Sequence, residues 1–348
     1  MTVEQFQERI RAAAANGETL CLRGGGTKDF YGNTLSGEIV DTRGYAGIVA
    51  YEPSELVVTA RCGTPLAELE HLLAQNRQCL PFEPPHFGAA ATVGGCIAAG
   101  LSGPGRAAAG ALRDFVLGIK LIDGRAQALQ FGGQVMKNVA GYDVSRLVAG
   151  SLGTLGLIAE VSLKLAPRPQ AEATLRLEMP QARALETMNR WAGQPLPVSA
   201  TAWHDGELMV RLSGSTAGVR AATAKIGGDA VDEPFWNGIR EHTDPFFSGR
   251  AALWRLSLPS TAPALELEGR QLVEWNGGLR WLKSGIDAAL VREAAQRVKG
   301  NATLFRAEEK RGNCFAPLAP VLERVHRELK AAFDPAGIFN RGRLLPGL

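Results

Sequence analysis

No Cys-x-x-Cys pair occurs in this chain. Its five cysteines, Cys21, Cys62, Cys79, Cys96 and Cys314, stand far apart, which excludes a clamped zinc or iron–sulfur centre and reads as reduced, mostly buried thiols of a cytoplasmic protein. No apolar run reaches the roughly eighteen residues of a membrane-spanning helix. The amino-terminal segment "MTVEQFQERIRAAAANG" lacks the apolar centre of a signal peptide and instead sets Val3, Phe6 and Ile10 on one helical face. Basic runs are missing too: with a net charge of +3 and scattered Lys and Arg, the chain offers no nucleic-acid footprint. It also shows no internal repeat.

Glycine, by contrast, is plentiful. Of 348 residues 41 are glycine, and they crowd between Gly24 and Gly156, where close backbone approaches are expected. The length suits one large domain and a smaller one. The first half alternates helices with short strands ("TLCLR", "GEIVD", "LVVTARC") and a hairpin turning at Asp123-Gly124. "TPLAELEHLLAQN" reads as a helix capped by Thr64 with Pro65 at its first position, and "DVSRLVAG" as one capped by Asp143. "PRPQ" at 167–170 marks the boundary. Beyond it, strands and helices alternate as in an antiparallel sheet backed by helices, close to a ferredoxin-like unit.

Three glycine-dense stretches concentrate the chemistry. "RGGGTK" (23–28) offers converging main-chain N–H groups with the Thr27 hydroxyl and the Arg23 and Lys28 cations, suited to a diphosphate; a tight surface turn is the other reading. "GAAATVGGCIAAGLSGPGRAAAGALRDFVLG" holds too many small residues for an ordinary helix or strand. Either a flat or phosphorylated ligand runs along it, beside Thr92 and Ser102, or helix and sheet meet closely there. "GSLGTLGLIAEV" repeats the theme before a strand.

In this order, followed by "KNVAGYDVSRLVAGSLGTLGLIAEVSLKLAP", the stretches resemble the FAD-binding domain of the vanillyl-alcohol oxidase and p-cresol methylhydroxylase superfamily over residues 18–167. The tail "FDPAGIFNRGRL" resembles the ending of its 2-hydroxy-acid dehydrogenase branch, with Arg341 where that branch has proline. Within the branch, the run from "PPHFGAAATVGG" to "SLGTLG" is similar to the FAD-binding subunits of bacterial glycolate oxidases.

The resemblance implies an α+β fold: a two-subdomain FAD-binding domain (1–167), a smaller antiparallel-sheet, ferredoxin-like cap (168–330), and a tail (331–348) returning to the FAD domain. It implies FAD held by Arg23, Gly24, Gly25, Gly26, Thr27 and Lys28 at the diphosphate. Thr92, Val93, Gly94, Gly95, Ala98, Ser102 and Gly103 would run beside it, Gly110 and Asp114 nearby, and Gly153, Gly156, Leu157 and Ile158 at the adenine end. The first loop has no histidine, so the FAD is expected to be non-covalent.

The cap-domain motif H-x-G-D-G-N-x-H of the branch is absent. No paired histidines remain for a metal, and none is expected. His86 and His242 are the candidates for catalysis beside the flavin, whereas His71 and His326 lie on solvated helix faces. Arg240 suits a carboxylate or a surface ion pair. Lys137 and Asn138 are candidates for cofactor or substrate contact, and Tyr142 for packing.

The expected function is that of the FAD-binding subunit of a glycolate oxidase complex, passing electrons from glycolate through flavin to an iron–sulfur subunit beside a larger homologous flavoprotein. Membrane association would come only through partners. A self-sufficient D-lactate-type dehydrogenase and a non-catalytic assembly subunit are the alternatives.

Overall fold

The computed structural model describes residues 1–133, 144–232, 234–310 and 312–348. Thr2 opens α1 (Val3–Asn16) with a reciprocal cap, its hydroxyl accepting from Gln5 N while its own N donates to the Gln5 side chain. Phe6, Ile10 and Ala13 bury that helix against β1 (Leu20–Arg23) and its parallel neighbour β2 (Glu38–Asp41). β3 (Ile48–Glu52) and β4 (Val57–Arg61) then begin a second sheet. In α2 (Leu66–Gln75) Leu66, Leu69 and Leu73 are buried on Val58 and Ala60, while Leu72 of the same apolar run is only half-buried. Pro65 rather than Thr64 holds its cap position, because the Thr64 hydroxyl is engaged with the main chain of Gly47 at 3.0 and 3.1 Å.

After β5 (Gln78–Cys79) the small-residue stretch departs from expectation: it contains a helix, α3 (Val93–Ala99). The Thr92 hydroxyl accepts from Gly95 N at 3.2 Å, and Gly100, left-handed at φ 64°, ends the helix. Thr92→Ala is therefore expected to lower the unfolding free energy by about 1 kcal/mol, read by denaturant titration. α4 (Arg106–Ala109) follows, then the expected hairpin of β6 (Val116–Ile122) and β7 (Ala128–Gly132), whose turn is held by Asp123 Oδ1 accepting from Arg125 N and Gln127 N. Lys137, Asn138, Tyr142 and the expected cap Asp143 lie outside the described residues; α5 (Val144–Val148) comes next. β8 (Leu157–Lys164) completes a five-stranded antiparallel sheet in the order β3-β4-β8-β6-β7, and β9 (Ala166–Pro167) pairs with β5.

An eight-stranded antiparallel sheet forms the second layer, and it contains a structural repeat that no sequence similarity betrays. β10 (Ala171–Glu178), α6 (Gln181–Ala192), β11 (Val198–His204), β12 (Glu207–Gly214), α7 (Thr216–Ile226) and β13 (Asp229–Ala230) make a ferredoxin-like unit with strands in the spatial order 4-1-3-2. After α8 (Phe235–Glu241), the same order recurs in β14 (Leu253–Ser257), β15 (Arg270–Glu274), β16 (Leu279–Lys283) and β17 (Asn301–Arg306), with α9 (Ala288–Arg297) before the last strand. Residues 258–269, where the counterpart of α6 would lie, carry Pro259 and Pro263 and form no helix. The two halves join through β11 and β15.

Strand alternation gives this sheet two apolar faces. Val273, Trp254, Leu282 and Leu304 lie in clusters with the helices, whereas Leu272, Trp281 and Phe305 pack on Tyr31, Ala99, Leu101 and Leu152 of the first domain. After α10 (Pro320–Phe333) the tail returns to the first domain: Phe339 bridges Leu20 in parallel, and Asn340 bonds Leu22 N at 2.7 Å and Leu152 O at 2.6 Å.

Candidate functional site

One cavity, with about 770 Å³ of empty space, runs along the carboxyl end of β1, the start of α3, the loop before β8 and the returning tail. Among the predicted cofactor residues Arg23, Gly24, Gly25, Gly26, Thr27, Lys28, Thr92, Gly94, Gly95, Ala98, Gly153, Gly156, Leu157 and Ile158 line it together. The main-chain N–H groups of Gly24 to Lys28 donate to no acceptor among the described residues. Five successive free amides bordering one cavity form an anion-binding concavity.

The amides opening α3 differ. Val93 N donates to Thr64 O, Gly94 N to Cys62 O and Gly95 N to Thr92 Oγ1, so this stretch lines the cavity with its donors already used.

Some of the glycines serve chain packing rather than ligand approach. A Cβ on Gly24 would meet Thr92 Oγ1 at 2.3 Å, one on Gly25 Ala90 O at 1.5 Å, and one on Gly94 Cys62 Cβ at 2.6 Å. Their bareness lets the 23–28 loop close on the segment leading into α3.

The cations are arranged modestly. Arg23 is paired with Asp29 (Nη2 to Oδ2, 2.6 Å), and Lys28 Nζ donates to His86 O at 3.2 Å. Burial pushes Lys28 below the usual ammonium range, with Cys96 and Glu241 opposing.

Val93, Gly110 and Asp114 do not line this cavity: Val93 is buried, Gly110 turns the chain at φ 111°, and Asp114 Oδ2 accepts from Ala111 N. Sequence reasoning missed Thr42, Cys62, Leu152, Asn340 and Arg343, which do line it. Arg343 donates to Asp29 O at 3.0 Å and Lys28 O at 3.2 Å, and also to Asn33 O, so the tail braces the loop that carries the free amides. Its signal was the "NRGR" of the tail motif.

A second cavity, about 320 Å³ of empty space, lies where the face of the large sheet that carries Leu272, Trp281 and Phe305 meets the first domain and α8. Ser102 and Gly103 line it from one side; His242, Arg255, Glu274, Trp281 and Phe305 line it from the other. His242 ends α8 in the left-handed region, its ring stacked on Phe247 (3.8 Å between centroids, 1° between planes) and edge-on to Trp281 at 4.7 Å. Its Nδ1 is buried with no hydrogen-bond partner among the described residues. Burial, then Arg306 and Arg255, hold this imidazole well below its ordinary value, so the ring is neutral at pH 7. Glu274 accepts from Trp281 Nε1 at 2.7 Å, and burial pushes its carboxyl up to about 7.

His86 borders neither cavity. Its Nε2 is 3.0 Å from Glu70, and its main-chain N and that of Phe87 donate to Glu241 at 2.9–3.2 Å. Arg240 is ion-paired with that same Glu241, at 2.8 Å, in a half-buried setting. This clasp fixes α8 on the 85–88 loop and thereby sets His242 and Phe87 in the second cavity.

Residues 1–132 match the FAD binding domain family. Along its length the chain is 46% identical to the glycolate oxidase subunit GlcE of Escherichia coli K12, covering 97% of this chain and 95% of that protein. A shorter stretch of 84 residues is 39% identical to the glycolate oxidase subunit GlcD of Bacillus subtilis, 24% of this chain and 18% of that one. The fold is that of an alkyldihydroxyacetonephosphate synthase, at 15% identity and a TM-score of 0.66 over 97% of this chain and 75% of that one. FAD is accordingly the cofactor of the first domain.

Proposed function

Because the chain belongs to the family of the glycolate oxidase subunit GlcE, we propose that it is the FAD-holding subunit of such an oxidase and takes part in converting glycolate to glyoxylate. The observation that carries this reading is the run of free amides from Gly24 to Lys28 along an elongated cavity. The residues fit FAD. Those amides and the Thr27 hydroxyl would hold the diphosphate, whose two negative charges need dipoles more than a basic patch. Gly94, Gly95 and Ala98 would flank it, and Gly153, Gly156, Leu157 and Ile158 would border the adenine end. Bound there, FAD supplies an acceptor for two electrons that can return them singly.

The protein's own groups bind and orient. His242, neutral and with an unpartnered nitrogen, takes the hydrogen bond of a substrate hydroxyl, while His86 acts through its main chain to place α8. No histidine borders the first cavity, and the Cys62 thiol there is pushed up to about 12 by burial and stays protonated, which supports dissociable FAD. Electrons would leave to an iron–sulfur subunit, with a larger homologous flavoprotein in the same complex. No described helix is long and apolar enough to cross a membrane, and five free thiols suit the cytoplasm.

The chain purified alone is expected to show an oxidised-flavin spectrum and to release all of its FAD on acid precipitation. A chain that stays colourless after incubation with excess FAD overturns the reading, and flavin remaining with the precipitate overturns its non-covalent part.

A further inference from the structure

Away from both cavities so far described, a further hollow with about 550 Å³ of empty space lies between α5, α10 and the end of the tail. Leu147, Leu155, His326, Leu329 and Leu344 line it, and Ser151 Oγ, buried in the same wall, has no hydrogen-bond partner among the described residues. Its mouth continues onto an apolar stripe. The spacing of Val321, Leu322, Val325 and Leu329 puts them on one face of α10. The first three are 64%, 53% and 49% exposed, and Leu147 beside them is 44% exposed. A helix face of this kind ordinarily covers a core; the one buried side chain of α10 is instead Lys330. Four half-exposed aliphatic side chains make a patch on the order of 300 Å², a size at which exposed apolar surface is often functional.

The patch stands directly behind the cofactor cavity. Segment 149–155 borders both hollows: Leu152 lines the first cavity, while Gly150, Ser151, Thr154 and Leu155 line this one. The segment is tied to α3, with Gly150 N donating to Ile97 O at 3.0 Å and Leu152 N to Ala98 O at 2.8 Å. Leu152 also packs in one cluster with Leu101, Trp281 and Phe305 of the second cavity. The shared wall is therefore at the end of the first cavity that faces the second, where a bound flavin would turn its ring toward a substrate.

The rim of the patch has little charge to offer. Arg327 pairs with Glu323 at 2.6 Å and Arg324 with Glu328 at 3.7 Å, both within α10, so the occupant is an apolar surface rather than a charged ligand. A second copy of this chain would set flavin against flavin and give the electrons no exit.

We propose that α10 and the hollow at its foot are the docking face for the subunit that takes electrons from this one, a protein that carries a one-electron centre behind an apolar contact surface. The assignment rests on the reading of the chain as the FAD-holding subunit of an oxidase complex. Each glycolate oxidised sends two electrons singly across this face and two protons to water. The interface belongs to the small class of electron-transfer contacts, burying less than about 1,200 Å² in total.

The test uses the assembled complex, purified through a tag on this chain, with the photoreactive p-benzoylphenylalanine in place of Val325. Illumination is expected to join position 325 to the iron-carrying subunit, identified by mass spectrometry of the linked peptides. Linkage to a second copy of this chain, to another flavoprotein or to nothing overturns the docking face. Leu322→Glu and Val325→Glu alter exposed side chains, so flavin content and denaturation midpoint should stay at the wild-type values while the affinity for the iron-carrying subunit falls at least about tenfold, read as iron per flavin in the purified complex. The wild-type complex should stay together in about 1 M salt, since no charged contact holds it. Full iron retention in both Glu variants, or dissociation of the wild type in that salt, overturns the proposal too. A colourless chain that still links to the iron-carrying subunit sinks the cofactor reading and leaves the docking face standing.

Discussion

Gly25→Ala is expected to cost the protein both its flavin and about 3 kcal/mol of stability, while Gly285→Ala leaves each within error. The difference is steric. A methyl on Gly25 would sit 1.5 Å from Ala90 O and 2.4 Å from the carbonyl carbon, and neither is the end of a flexible side chain that can swing away. Main chain must move, either in the 23–28 loop or in the segment leading to Thr92, and such overpacking costs about 1–3 kcal/mol or more. Gly285 has no atom within 4 Å of the equivalent position and no left-handed φ, so its replacement falls within about 0.5 kcal/mol.

The functional loss follows from which atoms move. The Gly24 to Lys28 amides hold a diphosphate only while they converge; losing two hydrogen bonds to a charged group at about 1.5 kcal/mol each weakens FAD binding by about 100-fold. Flavin occupancy after gel filtration and the denaturation midpoint, measured on both variants, check this. Full occupancy in Gly25→Ala would mean that the loop tolerates displacement and that its amides are not the grip.

That loop was legible because its chemistry is local: five residues, three of them glycine, suffice to expose consecutive amides. α3 was misjudged for a local reason as well. Glycine and alanine content argued against a helix, although "T-VGGCIAA-G" carries both of its stops, the Thr92 cap and the left-handed Gly100. The elements of the large sheet could be read one by one from their periodicity. Its repeat could not, because the two halves share a strand order and not a sequence, and prolines 259 and 263 remove one helix.

The second cavity was the least visible. Arg255 and Glu274 sit on different strands, and Ser102 and His242 come from different domains, so no spacing along the chain announces them. His86 read as a flavin neighbour from its place in "PFEPPHFG", yet what draws its ring aside is Glu70 on α2, a partner visible only after folding.

Lys330→Met is expected to destabilise the protein by about 3–5 kcal/mol and to loosen FAD at a distance. Lys330 is buried, and its ammonium donates to Asp334 Oδ2 (2.7 Å), Thr154 O (2.7 Å) and Phe339 O (2.8 Å), using all three protons. Asp334 in turn accepts from Ile338 N at 3.1 Å and Phe339 N at 2.8 Å. Removing the cation leaves a buried carboxylate with two amide donors and no counter-charge, the situation in which breaking one side of an ion pair is costly. Adding Asp334→Asn should recover part of that cost, since the amide oxygen still accepts from the main chain without a charge to balance.

The link to the cofactor is geometric. Phe339 leads directly into Asn340 and Arg343, which bond the main chain at Leu22, Leu152, Lys28 and Asp29 around the first cavity. A tail released at Lys330 no longer braces the amide loop, so flavin should dissociate at denaturant concentrations below the unfolding transition in Lys330→Met and together with it in the wild type. Coincident transitions in the variant would show that the ion pair stabilises the fold as a whole and has no particular hold on the site.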